Sequence, residues 1–163
     1  MDADKRRSGL YKDLKPPMDA DKRRSGLDKD LKPPMDADKR RLELDEITRK
    51  IIGCVHTVSN TLGCGFVEKV YENALVIEIR CAGLRLEQQH PIMVRYGGAI
   101  VGDFAADLLV EESVIAELKA VKALDEVHFA QCLNYLKATG LTVCLLINFG
   151  KPKIDIKRIV LNF

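Results

Sequence analysis

Asp107, Glu117 and Lys119 are the residues of this chain whose types and spacing suit chemistry. Asp107 stands ten residues before Glu117, and Leu118 separates Glu117 from Lys119. Both segments read as strands joined by a three-residue turn, Glu111, Glu112 and Ser113. That loop pairs Val110 with Val114 and sets Asp107 opposite Glu117, and directly opposed residues share a face of the sheet. Lys119 shares the face of Glu117, two positions away. Two carboxylates roughly 5 Å apart repel, and burying them raises a pKa unless a cation lies between them. Oxygen donors without histidine or cysteine favour Mg²⁺ or Mn²⁺ over Zn²⁺. Asp107, Glu117 and the Leu118 carbonyl would hold the ion. Lys119 would hold or deprotonate an attacking water, or neutralise a phosphate, as in metal-assisted phosphodiester hydrolysis.

The plain alternative is a hairpin whose charges face solvent. The flanks argue against it: Ala105, Ala106, Leu108, Leu109 and Val110 before the turn and Val114, Ile115, Ala116 and Leu118 after it are apolar on both faces. Strands buried on both sides rarely carry three charges without a reason.

These strands need helices to bury them. Leu44, Ile47, Ile51, Val55, Val58 and Leu62 recur at helical spacing, predicting a helix over Leu42–Leu62 stopped by Gly63. A second helix is expected from near Phe66 to about Cys81, with Val67, Val70, Ala74 and Leu75 toward the core and Glu68, Tyr71 and Glu72 on another face. Strands follow over Arg85–Tyr96, Ile100–Val110 and Val114–Ala120, then a helix over Leu124–Thr139 and strands over Leu141–Phe149 and Lys153–Phe163. The order α-α-β-β-β-α-β-β, with a crossover helix before the fourth strand, predicts an α/β fold: a mixed sheet flanked by helices. On the third helix Gln131 and Tyr135 project together, with His128 a turn earlier, placed to contact a phosphate or orient water, or else to form a polar seam.

The first 34 residues stand apart, because MDADKRRSGLYKDLKPP recurs at 18–34 with Tyr11 replaced by Asp28, and MDADKRR opens again at Met35. So charged and proline-closed a unit cannot bury a face, which divides the chain into a repeat tail at 1–34 and a domain at 35–163. The tail carries 10 basic and 7 acidic side chains of the chain's 26 and 24, leaving 16 and 17 in the domain. A domain of net charge −1 is no basic nucleic-acid module, so any attraction for phosphate must be local or come from the KRR clusters. The five cysteines show no metal-binding spacing and fit reduced thiols in a cytoplasmic protein, and no apolar run suits a membrane span.

LGCGFVEKVYENAL (62–75), ADLLV (106–110), AELKAV (116–121), HFAQCLNYLKATG (128–140) and LLINFG (145–150) together resemble the GxxExxY proteins, a group within the PD-(D/E)XK nuclease-like superfamily. The resemblance implies that Glu68 joins Asp107 and Glu117 around the metal, that Lys119 is the catalytic lysine, and that the Gln131 helix lies against the site. It also implies DNA, less so RNA, as substrate. The chain departs from the pattern at Ala105, where similar proteins commonly carry arginine, and at Cys64, where proline is common. Losing that arginine removes a bidentate phosphate donor. A second reading is therefore a non-catalytic assembly protein, a homo-oligomer whose subunits the charged repeat ties together.

Overall fold

Helix α1 (Ala37–Leu62) already includes part of the third MDADKRR copy, five residues before the expected start. The computed structural model describes residues 37–162, so the tail at 1–34 lies outside the described residues. After α1 come α2 (Glu68–Cys81), β1 (Leu86–Tyr96), β2 (Ala99–Val110), β3 (Val114–Lys119), α3 (Glu126–Thr139), β4 (Val143–Asn148) and β5 (Asp155–Val160). The predicted order of elements is therefore the observed one. The strands form one sheet in chain order, antiparallel except for β3 beside β4, which α3 connects as a crossover.

Period-two burial separates two cores. Ile51 and Val55 of α1 and Leu75 and Ile79 of α2 pack with Leu108, Val110, Leu118 and Ile147 on one face. Cys132, Tyr135 and Leu136 of α3 pack with Ala106, Leu109, Ile115 and Leu146 on the other. All six residues of β4 are buried, which is why VCLLIN reads as a continuous apolar run. None of the helices among the described residues is long and apolar enough to cross a membrane.

The inward face of α2 differs from the expected one. Val67 is 70% and Val70 37% exposed, while Tyr71 is fully buried. Tyr71 stacks on Phe149 with ring centroids 4.5 Å apart. Its hydroxyl donates to the Gly63 carbonyl at 2.9 Å and accepts the Phe66 N–H at 3.1 Å, so it pins the glycine turn onto the helix. A ring that stacks and satisfies its hydroxyl outcompetes two valines for the interior.

The β2–β3 turn forms as the spacing demands. Glu111 and Glu112 adopt φ of 50° and 53°, and the Ser113 N–H donates to the Val110 carbonyl at 3.0 Å. Arg85 grips this turn: its backbone N–H and guanidinium both donate to Glu111.

Candidate active site

The site forms where the β2–β3 ladder ends and the β1–β2 ladder is interrupted. Between β2 and β3 the pairs Val110↔Val114, Leu109↔Ile115 and Leu108↔Ala116 form, and Asp107 and Glu117 would be next but are not a ladder pair. Between β1 and β2 the ladder skips Gln89 and Asp107, and Gln89 takes a φ of 55°. The alternation of faces reverses at this break: Ala106 packs toward α3, whereas Leu108, two residues on, packs toward α1 and α2.

Side chains replace the missing ladder. Asp107 Oδ2 accepts the Leu118 N–H at 2.8 Å. The expected direct pairing of Asp107 with Glu117 is therefore not made, and the two strands are joined there through the Asp107 side chain. Lys119 bonds through its carbonyl to Phe149 of the β4 side at 2.8 Å, so Leu118, its neighbour, offers both its N–H and its carbonyl toward β2. Lys119 Nζ donates to Glu117 Oε1 at 2.9 Å, as two residues on one face of a strand should.

Helix α2 brings a third carboxylate. Glu68 opens the helix and is partly buried, and its carboxyl feels the charges of Lys119 and Asp107. One turn on, buried Glu72 accepts from Lys69, Gln88 and Gln89, and Gln89 also reaches Asp107 Oδ1 at 3.3 Å. From the opposite side, Gln131 Nε2 donates to the Tyr135 hydroxyl at 2.9 Å, and that hydroxyl donates to the Ala105 carbonyl at 3.3 Å. The carbonyl is thus the group that Ala105 offers this cluster. His128 instead accepts the Asp125 N–H and completes the capping box of α3.

Burial dominates the electrostatics. It pushes the Glu117 carboxyl up to about 7, helped by the charge of Asp107 and only partly opposed by Lys119. Burial likewise raises Asp107 and Glu68 against the hydrogen bonds and the lysine that favour their charged forms. For Lys119, burial acts to lower the value, but the hydrogen bond and charge of Glu117, with the charges of Glu68 and Asp107, win and hold it above the ordinary lysine range. Burial acts to raise Glu72 too, and its bonds from Lys69, Gln89 and Gln88 outweigh it. The cluster is therefore short of positive charge around Glu117 and Asp107, not around Glu72.

Glu117 Oε2 is buried and has no hydrogen-bond partner. An unmatched carboxylate oxygen in an all-oxygen donor set fits a hard divalent ion. Among the described residues no three or more His, Cys, Asp or Glu side chains are gathered into a ready cage. Mg²⁺ does not require one, since it commonly binds through one or two carboxylates and retains several waters.

Sequence reasoning missed a clamp just beyond Lys119, at Val121. Asn148, the register partner of Lys119, is fully buried; its Oδ1 accepts the Val121 and Gly150 N–H groups and its Nδ2 donates to the Val121 carbonyl. A Cβ on Gly150 would lie 2.2 Å from the Val121 carbonyl oxygen, so only glycine permits that approach. The polar ending of an apolar strand, Asn148-Phe149-Gly150, was the available signal. Gln89 gave none, because a β1–α2 contact across the site leaves no local pattern, and helical spacing placed Glu72 only on the face of Glu68.

The description of the PD-(D/E)XK nuclease superfamily matches residues 45–159, a span holding Glu68, Asp107, Glu117, Leu118, Lys119, Gln131 and Tyr135. No curated protein matches the chain. Among solved structures, SSO0001 superposes with a TM-score of 0.47 and 19% identity, covering 76% of this chain and 62% of that one. An alkaline exonuclease, LHK-Exo from Laribacter hongkongensis, superposes at 0.44 with 13% identity over 80% of this chain and 73% of that one. With the family description spanning well over half its length, the chain belongs to the PD-(D/E)XK nuclease superfamily.

Proposed function

We propose that this chain is a Mg²⁺- or Mn²⁺-dependent phosphodiester hydrolase of the GxxExxY group, acting on DNA in preference to RNA. The observation that carries the reading is the buried, unmatched oxygen of Glu117 beside Asp107 and Lys119. Asp107, Glu117 and the Leu118 carbonyl would hold the ion, with Glu68 as a further ligand directly or through water. When bound, the ion supplies Lewis-acid stabilisation of charge developing on the phosphate.

Lys119 stays protonated at neutral pH because the acidic groups around it hold its pKa up. Its role is then to donate hydrogen bonds to the attacking water and to offset phosphate charge, rather than to act as the free-amine base. The Asn148 clamp ties down Val121, two residues beyond Lys119, and Glu72 reaches Asp107 through Gln89. Gln131 and Tyr135 support substrate from the α3 side. Cleavage of plasmid and oligonucleotide DNA by wild type and Lys119→Ala tests this. The expected loss in the variant is about 100-fold or more, the scale of removing one positioned polar group; equal activity in both would remove the reading.

One observation favours a second role. Tyr96 is 81%, Ile100 52% and Val101 61% exposed around the β1–β2 hairpin tip, an apolar tip suited to contact between copies of the chain. An assembly protein would elute as an oligomer that Tyr96→Lys with Val101→Lys breaks; a monomer at high concentration would dismiss it.

A further inference from the structure

Beside Gln131 and Tyr135 lies an open groove of about 950 Å³ between α3 and the outer half of the β1–β2 hairpin. Phe104 lines it, half exposed, and Gly102 explains the ring's position: a Cβ there would meet Phe104 Cε2 at 2.8 Å, so the ring lies across the space the glycine leaves. Tyr135 lies beside the ring, with centroids 6.2 Å apart and planes tilted by 49°. An aromatic ring is thus held in place with half of its surface exposed along the groove. Asn134 and Gln131 line the same groove with amide groups. Arg95 and Lys137 also line it, neither has an ion-pair partner among the described residues, and no carboxylate lines it. Asp103, between Gly102 and Phe104, does not line the groove.

We propose that this groove is a subsite for an unpaired nucleobase of a single-stranded substrate, stacked on Phe104 with its flanking phosphates met by Arg95 and Lys137. The proposal rests on the hydrolase reading for the meaning of the neighbouring site. A base within a duplex has no free face to offer a protein ring, whereas an unstacked base has, and aromatic platforms beside cationic groups bind single strands without needing a sequence. Tyr135 joins the two regions, since it lines the groove and its hydroxyl bonds to the Ala105 carbonyl, two residues from Asp107. A strand seated there would run toward Asp107 and Glu117, giving the chain a preference for single strands or frayed ends.

The test is fluorescence anisotropy of a labelled oligothymidylate and of a duplex of equal length, with the full chain carrying Lys119→Ala to prevent cutting. Adding Phe104→Ala is expected to weaken single-strand binding about tenfold or more and to leave duplex binding within about twofold. Phe104→Leu, which keeps apolar bulk, should lose as much, and Phe104→Trp should restore binding. Arg95→Ala with Lys137→Ala should reduce the salt dependence of single-strand binding by about one to two counterions. Unchanged single-strand affinity in the Phe104 variants, or no single-strand binding at all, overturns the subsite whatever wild-type cleavage shows. A tenfold Phe104 effect supports the subsite even if wild type cuts no substrate, an outcome that removes the hydrolase reading alone.

Discussion

Asn148 and Glu117 are buried polar side chains on adjacent parallel strands, and the fold treats them oppositely. Asn148 is fully buried, and its amide oxygen and nitrogen both find backbone partners in Val121 and Gly150. Glu117 is 2% exposed, carries an oxygen with no partner, and has its pKa driven to about 7. Buried polar groups are ordinarily satisfied because each orphan costs about 1–3 kcal/mol. Asn148 shows that this sheet can meet that demand within a few ångströms of the site. The deficit at Glu117 is therefore local, and it lies where a cation would supply what the protein does not.

Removing the satisfied group should have the largest effect on the fold. Asn148→Ala leaves two backbone N–H groups and a carbonyl without their partner and should cost about 2–4 kcal/mol in urea unfolding. A cost below about 1 kcal/mol would erase the contrast, because Asn148 would then hold little.

Removing the unsatisfied group should do the reverse without metal. An acid whose folded pKa lies above its unfolded value binds more protons when folded, so stability falls as pH rises between the two. For Glu117 that window runs from about 4.5 to about 7, and metal-free wild type should lose about 3 kcal/mol relative to Glu117→Gln across it. Asp107 and Glu68 add to the slope in the same direction and are common to both proteins. Parallel pH profiles of wild type and variant would show that Glu117 is not held against its charge.

A smaller effect separates scaffold from site within the GxxExxY motif itself. Tyr71→Phe keeps the stack on Phe149 but loses the bond to Gly63, and should cost about 1 kcal/mol while leaving cleavage near wild type. A hundredfold loss of cleavage with full stability would move Tyr71 into the chemistry.

What the sequence made legible was local. The three-residue turn, the shared face of Glu117 and Lys119, and the order of helices and strands follow from periodicity, turn residues and alternation. The hidden features are those set by distant segments. Nothing near Asp107 announces that β2 reverses its faces there, because the break is shared with Gln89 on another strand. Tyr71 reads only as sharing a helix face with Glu68 and Glu72 until Phe149, far along the chain, supplies the ring it stacks on. Asn148 reads as a strand ending until β3 lies beside it and Val121 needs its amide. The start of α1 at Ala37 was masked by repetition, since Ala37–Arg41 copies a segment with no apolar periodicity of its own.

The central claim is that Asp107 and Glu117 are left short of positive charge to receive a divalent ion. Calorimetric titration of Mn²⁺ into metal-free wild type and Glu117→Ala, with circular dichroism showing both folded, measures it most directly. A wild-type binding isotherm that weakens about tenfold or more in the variant is the predicted result. Equal affinity in the two proteins, or no binding by wild type, would contradict it.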